Sequence, residues 1–431
     1  MSELDPDYAA AQLAAYFGLT PGGEDLAGAV ARLPLDRIGA VAQGLAKARR
    51  VFIAGNGGSH DNARILSSLL RQSGLATVPL GPIEMHWEVG LESGFEDVFA
   101  ADLRRHAVGP DDALLCLSGS GNSPNIVRAL EQADAAGAAG YALGGRDGGA
   151  MVRATGPARA VIVPSPVMEV IEDLHAVTGH LLATSLVGGA HAPLAATGVE
   201  LLALARRHLP QLAELAAAVA GTLFTGGRVL IVGLSPGTSH WRQDLERGST
   251  NTLPITGLHA PELLTAGSLS ASANDDGFAT IFTRGLAKLD AGPKDVAILC
   301  GATPPVESVA DAVRNRGCSV WSFGAIRAGA TSVPLLPDPR FVDVTLSIVN
   351  HALSRTLNAW LTRALDVQAI EIPPLALPPD RRRPDERQLA DLEAALHRGG
   401  HLAPDRVLAF AYGRAFSALH PRAIGLARSF V

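Results

Sequence analysis

The chain has 431 residues, 47% of them hydrophobic and 18% charged, enough for a large buried core and for more than one domain. Its formal net charge is −6, and no Lys/Arg run is interleaved with aromatic residues, which removes the usual footing for nucleic acid; the one basic run, Arg381 to Arg383, sits among prolines and acids as a solvated linker. No apolar stretch reaches the roughly 18 to 20 residues that cross a bilayer, and the acidic start MSELDPDYAAAQLAAYFG lacks the form of a signal peptide, so no membrane partner and a soluble, cytoplasmic protein are expected.

Short apolar runs alternate with alanine-rich amphipathic stretches, the mark of βαβ units around a parallel sheet. Five strands are expected first: RVFIAG (50–55), LATVPL (75–80), DALLCLS (112–118), AAGYALG (138–144) and ARAVIVP (158–164), with a closing helix from Met168 to Leu186. The order then repeats. Gly55 matches Gly233, Phe95 matches Phe278 and His180 matches His351, at separations of 178, 183 and 171 residues, and DDALLCL matches DVAILCG. Near-constant offsets indicate a tandem duplication. The expected fold class is α/β: two tandem domains, each a parallel five-stranded sheet flanked by helices in three layers, over residues 1–190 and 196–372. The small-residue stretch VGGAHAPLAATG (187–198) marks the boundary, and a Pro-rich linker with two C-terminal helices fills 373–431. Cys116, Cys300 and Cys318 have no metal-ligand spacing, and the first two fall in apolar strands, which suits a reducing compartment.

A strand that ends in Gly55-Asn56-Gly57-Gly58-Ser59 and opens a helix directs backbone N–H groups and a hydroxyl at the positive end of the helix dipole, an anion site. The glycines allow close approach, and Ser59 is expected to cap the helix while touching the ligand. The third strand ends in a second cluster, Ser118-Gly119-Ser120-Gly121-Asn122-Ser123, ahead of a helix with Pro124 in its first turn. Two such strand ends at the carboxyl edge of a parallel sheet can flank one phosphate. Neither a Gly-Lys-Ser/Thr nor a Gly-x-Gly-x-x-Gly follows, so the pattern is not that of a nucleotide loop.

The motifs GNGGS, SGSGNSPN, SGFEDVFAADL and VPSPVMEVIEDLHAVTGHLL, in this order, resemble the sugar isomerase (SIS) fold family, in particular its phosphoheptose isomerase branch, which shows GNGGS, STSGNSPN, YEEVFARQL and VPS…IQE.H…GH. The resemblance is strong over residues 34–190 and weak over 200–370. It implies that Asn56, Ser59, Ser118, Ser120 and Ser123 hold the phosphate of a sugar phosphate, and that Gly119, standing where threonine is usual, drops one hydroxyl contact. It also implies that His180 is the family's histidine near the domain end. The departure lies in the helix after the first loop, where the family's His and Glu, metal ligand or base, are Ile65 and Leu69, and the glutamine of IQE is Glu172. With only His180 kept among the zinc-binding residues, no such metal site is expected, and no cofactor is implied.

Aldose–ketose isomerisation needs a base that moves a proton between C1 and C2 through an enediol. GPIEMHWEVG offers Glu84, His86 and Glu88 at alternating positions, comparable to a histidine-bearing segment of related isomerases; a solvated loop with a structural histidine is the alternative. Glu172, Asp173, His175 and His180 share the closing helix, with Glu172 and His175 on one face, for proton transfer or for charge pairing. His60 and Asp61 follow the first loop as substrate contacts or as residues favoured by the helix dipole. The second copy keeps a Gly/Ser/Thr turn over 233–239 but carries Pro304-Pro305 in place of the serine cluster, so phosphate binding of the same kind is not expected there. Its His240, Arg242, Asp244, Glu246, His259, Glu262, Asn274, Asp275 and Asp276 either complete the first site or serve a structural partner. The resemblance leaves three functions open: an isomerase of a ketose phosphate such as a heptulose 7-phosphate, a non-catalytic phosphosugar sensor, and an aminating isomerase supplied with ammonia from outside the chain. It also implies a homodimer or higher homo-oligomer.

Overall fold

The computed structural model describes residues 4–20, 26–163, 165–187, 193–225, 227–247, 263, 266–324, 331–333 and 341–364. His259, Glu262, residues 188–192 of the expected boundary and the whole 373–431 extension lie outside the described residues. The first half runs α1 (Pro6–Phe17), α2 (Leu26–Ala31), α3 (Leu35–Leu45), β1 (Arg50–Ala54), α4 (Gly58–Gln72), β2 (Thr77–Pro79), α5 (Ile83–Glu92), α6 (Val98–Arg105) and β3 (Asp112–Ser118). It continues through α7 (Pro124–Ala135), β4 (Ala139–Gly145), α8 (Gly149–Thr155), β5 (Ala160–Val163) and α9 (Met168–Leu186). The second half follows as α10 (Pro193–Thr225), β6 (Val229–Val232), α11 (Pro236–Arg247), α12 (Ala266–Asp276), α13 (Thr283–Leu289), β7 (Val296–Cys300), α14 (Pro304–Asn315), β8 (Ser319–Phe323), β9 (Thr331–Val333) and α15 (Val342–Ala364).

Both sheets are parallel, ordered β2-β1-β3-β4-β5 and β6-β7-β8-β9. Four strands are described in the second; a counterpart of β2 would fall in 248–262, outside the described residues. In the first sheet the chain steps from β1 outward to β2 and then returns to β3 on the other side. The crevice beyond the carboxyl ends at such a reversal is where open α/β sheets bind ligands.

The strand starts are pinned alike in the two halves. The fully buried Asp112 carboxylate accepts from the guanidinium groups of Arg49 and Arg50 and from the Gly109 N–H. Asp295 accepts in the same way from Arg228 and from the Gly292 N–H. The same device thus serves both sheets.

Strand alternation explains how the halves join. Val51 and Ile53 of β1, Val229 and Ile231 of β6, and Val296 and Ile298 of β7 all enter one apolar core that runs through both sheets. Their neighbours Phe52 and Ala54, or Leu230 and Val232, face separate outer cores. The N-terminal α1, at the start of the first half, packs on α10 and α15 of the second. Among the described residues no helix is long and apolar enough to cross a membrane.

Burial alone would raise the Asp112 carboxyl, but the bonds from Arg50, Arg49 and Gly109 hold it well below the usual carboxylate range. Asp112→Ala is expected to lower stability by about 2 kcal/mol, the scale of a hydrogen bond to a charged group, read from the urea midpoint. Because the folded-state pKa is depressed, that contribution is present above about pH 4 and fades as pH falls, so the gap between wild type and variant should close in acid.

Candidate active site

A cleft of about 1210 Å³ is lined by the loops that follow β1 and β3, at the reversal of strand order. Gly55, Asn56, Gly57 and His60 come from the first loop and helix, and Ser123, Asn125 and Arg128 from the start of α7. His86, Phe95 and Glu96 form a further wall, and Ser239, Arg242 and Gln243 of α11 close the cleft from the second half.

The glycines of the first loop are dictated by geometry. Gly57 sits at φ 56° and ψ −128°, a conformation open essentially to glycine, and a Cβ on Gly55 would lie 2.2 Å from the Ser59 carbonyl oxygen. The sharp turn at Gly57 starts α4 at Gly58. Ser59, expected as the cap, is thus inside the first helical turn, 5% exposed, and does not line the cleft. The amides of Asn56 and Asn125 pair reciprocally at 2.8 and 2.9 Å and tie this loop to α7. Ser123 stands at the N-cap of α7 and makes no side-chain capping bond to the helix. The positive ends of α4 and α7 therefore meet on one cleft, with Arg128 and Arg242 beside them.

The other hydroxyls of the second cluster hold the loop itself. Ser118 Oγ accepts from the Gly121 N–H at 3.1 Å and Ser120 Oγ from the Asn122 N–H at 3.3 Å, and neither residue lines the cleft. Asn122 Oδ1 accepts from the Ala150 N–H, which anchors the loop on α8. A Cβ on Gly119 would meet Met168 Sδ at 2.3 Å, so the methionine fills the volume a threonine would need.

Gln243 bridges the halves. With its amide oriented to suit both neighbours, its nitrogen donates to Asp61 Oδ2 and its oxygen accepts from the Gly58 N–H, each at 3.2 Å. Asp61 is buried, which raises its carboxyl against the pull of His240 and Arg64, and it also bonds the Ser239 hydroxyl. In the second half the matching helix start is taken by a residue of the chain: Asp343 Oδ1 accepts from the Gly237 N–H at 3.1 Å.

The proton-transfer candidates separate clearly. The rings of His60 and His86 lie 6.4 Å apart, edge to face, with Phe95 at 5.7 Å from His86. Burial, Arg64 and His86 lower the His60 pKa, while a bond to the Gly55 backbone opposes them. The GPIEMHWEVG segment runs into the helix α5, and at about 100° per residue positions 84 and 88 fall on one side while His86 falls on another. Glu88 pairs with Arg105 at 2.9 Å, both half exposed and neither on the cleft, while the Glu84 side chain is outside what is described. Glu172 and His175 form no pair. Glu172 faces the second half, 3.6 Å from His240 Nε2 and 3.4 Å from His351 Nε2, whereas His175 is buried, which lowers its pKa to about 4. His180 packs its ring 3.7 Å from that of Phe341 and does not line the cleft. Glu96 and Arg128 were not singled out from the sequence. The signal for Glu96 lay in SGFEDVFAADL, where it aligns with a glutamate of the family motif.

Gly119→Thr is expected to destabilise the protein by about 1 to 3 kcal/mol through overpacking against Met168. Met168→Ala in the same chain should recover part of that loss. Additive effects of the two substitutions in urea melts would contradict the contact.

No family model matches the chain. The phosphoheptose isomerase of Solidesulfovibrio magneticus is 33% identical over 149 residues, covering 33% of this chain and 71% of that protein. The phosphoheptose isomerase of Rhodospirillum rubrum is 32% identical over 151 residues, 33% of this chain and 79% of its own length. Among solved structures, the tagatose-6-phosphate ketose/aldose isomerase of Escherichia coli superposes with a TM-score of 0.53 at 15% identity, covering 84% of this chain and 96% of that one. The C-terminal domain of the glucosamine-fructose-6-phosphate aminotransferase of Francisella tularensis gives 0.53 at 13% identity, covering 82% and 93%. These two likenesses concern the fold, and they extend it across both halves. With its parallel sheets, its glycine loop and these relatives, the chain belongs to the sugar isomerase (SIS) family and contains a phosphoheptose isomerase-like region.

Proposed function

We propose that the protein is a sugar-phosphate aldose–ketose isomerase that works through an enediol on a ketose phosphate such as a heptulose 7-phosphate. The observation that carries this reading is the convergence, in one cleft, of two helix starts with the imidazoles of His60 and His86. The phosphate accepts from backbone N–H groups at the starts of α4 and α7 and from the Ser123 hydroxyl, with Arg128 and Arg242 neutralising its charge. His60 bonds the Gly55 backbone through its ring, so its other ring nitrogen carries the lone pair, and the lowered pKa keeps it unprotonated near neutrality. It takes the proton from C1 of the ketose and returns it to C2, while His86 carries the proton between the two oxygens of the enediol. Glu88 and Glu172 are set aside as bases because Arg105 and two buried imidazoles already hold them. The apolar Ile65 and Leu69, both buried, favour a second reading in which the same cleft binds a sugar phosphate without turning it over.

The test is solvent exchange. Incubated in D₂O with heptulose 7-phosphate and a panel of other ketose and aldose phosphates, the protein should introduce deuterium at C1 or C2 of one of them, followed by proton NMR. His60→Asn should lower kcat by about a hundredfold or more with little change in KM, and Ser123→Ala should mainly raise KM. In the wild type kcat/KM should fall as pH drops through a value below 6.5, since the base is lost on protonation, and His60→Asn should lack that limb. Exchange in none of the sugars, with binding still seen by thermal shift, would remove the isomerase and leave the sensor.

A further inference from the structure

Three helices from the two halves bring polar side chains to one buried point: Glu172 on α9, His240 and Asp244 on α11 and His351 on α15. His240 and Asp244 are one helical turn apart and share a face. Glu172 Oε2 lies 3.6 Å from His240 Nε2 and 3.4 Å from His351 Nε2, and Asp244 Oδ2 lies 3.6 and 3.2 Å from the same two nitrogens. The donor atoms of Glu172, His240 and His351 all fall within 4.8 Å of one another. Both imidazoles are fully buried, and neither Nε2 has a hydrogen-bond partner of acceptable geometry.

The distances have a simple reading. A tetrahedral ion with bonds of about 2.0 to 2.1 Å to nitrogen and oxygen places its ligand atoms roughly 3.3 to 3.4 Å apart. Glu172 Oε2 stands 3.6 and 3.4 Å from the two imidazole nitrogens, close to two edges of that figure. The outer contacts fit as well. His351 Nδ1 donates to Asp173 Oδ1 at 2.6 Å, and Asp173 in turn accepts from the Tyr16 hydroxyl. His240 Nδ1 and Ser347 Oγ are 3.2 Å apart, and Asn350 donates to Asp244 at 2.6 Å. Carboxylate or hydroxyl contacts on the far nitrogen are what fix a metal-bound imidazole in its tautomer and orientation.

A zinc ion held as in metal-containing relatives does not fit this chain. Two of those positions are the buried apolar Ile65 and Leu69, and His180 stands against Phe341. We propose instead that Glu172, His240 and His351 bind a divalent transition-metal ion, zinc by the mixed imidazole and carboxylate character of the donors, as a clasp between the two halves, with Asp244 beside the two imidazoles. Two of the three ligands belong to the second half. The Glu172 carboxylate also approaches the first turn of α4, where a Cβ on Gly58 would be 2.6 Å from its oxygens. A metal that fixes Glu172 therefore buttresses the glycine loop from behind. The clasp stands whether or not the cleft is catalytic.

The test uses the full chain, expressed without a polyhistidine tag and purified without chelator. Plasma mass spectrometry should find about one equivalent of zinc per chain. Stripping with a chelator should lower Tm, and Zn²⁺ should restore it, while Co²⁺ in place of zinc should give visible absorption of tetrahedral intensity. The double variant His240→Gln with His351→Gln should hold at least about tenfold less metal, and His180→Gln should keep it. A wild type that carries no stoichiometric metal, and whose Tm ignores Zn²⁺, Co²⁺ and Mn²⁺, overturns the proposal and leaves two charged imidazoles paired with carboxylates. Metal loss in His180→Gln equal to that in the double variant overturns the ligand assignment. Should the double variant fail to fold, stripping and restoring the wild type decides.

Discussion

Along the seam between the halves, polar side chains are buried in a continuous chain of contacts, and this constrains everything around it. The Tyr16 hydroxyl meets Asp173, Asp173 meets His351, His351 meets Asp244 and Glu172, and Asn350 meets Asp244. Tyr16, Asp173, Asp244, Asn350 and His351 are all buried. A buried polar group that loses its partner costs about 1 to 3 kcal/mol, and a charged one more, so the halves cannot slide past each other without orphaning several groups together. The apolar core that spans both sheets resists separation, and the polar chain fixes the register in which that core closes.

The register decides where a ligand can bind. Because α11 is held against α4, Ser239, Arg242 and Gln243 reach the glycine loop of the first half and Gln243 meets the Gly58 N–H. Among the described residues the equivalent helix start differs: Asp343 brings its own carboxylate to the Gly237 N–H, and Pro304 stands in place of the hydroxyl cluster. A carboxylate already seated at a helix N-terminus repels a second anion. The cleft of the first half thus takes one wall from the second.

What the sequence disclosed was local. The alternation within each strand, the limits of α9 at Met168 and Leu186, and the glycine loop after β1 follow from neighbours a few residues apart. The misreadings arose where a single dihedral or a distant contact decides. Ser59 lost the cap position because the positive φ of Gly57 begins the helix earlier, and the segment of Glu84, His86 and Glu88, for which a solvated loop was the alternative, is a helix. Matched in the repeat, His180 and His351 looked equivalent, yet one packs on Phe341 and the other joins Asp173 and Glu172 across the seam. Nothing within one copy of the repeat encodes that difference, since it depends on which helix of the other copy lies opposite.

The same logic accounts for Ile65 and Leu69. Both lie on the face of α4 that enters the core shared by the two sheets, and both are almost wholly buried. An ionisable His and Glu there would need partners or a bound ion to offset their desolvation, and the surrounding core is aliphatic, with Leu66, Leu70 and Val177 in the same cluster. Burying apolar groups at these positions contributes on the order of 1.5 to 3 kcal/mol each to folding. The polar groups that the α4 positions lack are concentrated on α11 and α15, where Asp173 of α9 and Ser347 and Asn350 of α15 serve as hydrogen-bond partners. The ionisable groups thus gather at the seam, while the face of α4 that enters the shared core stays apolar.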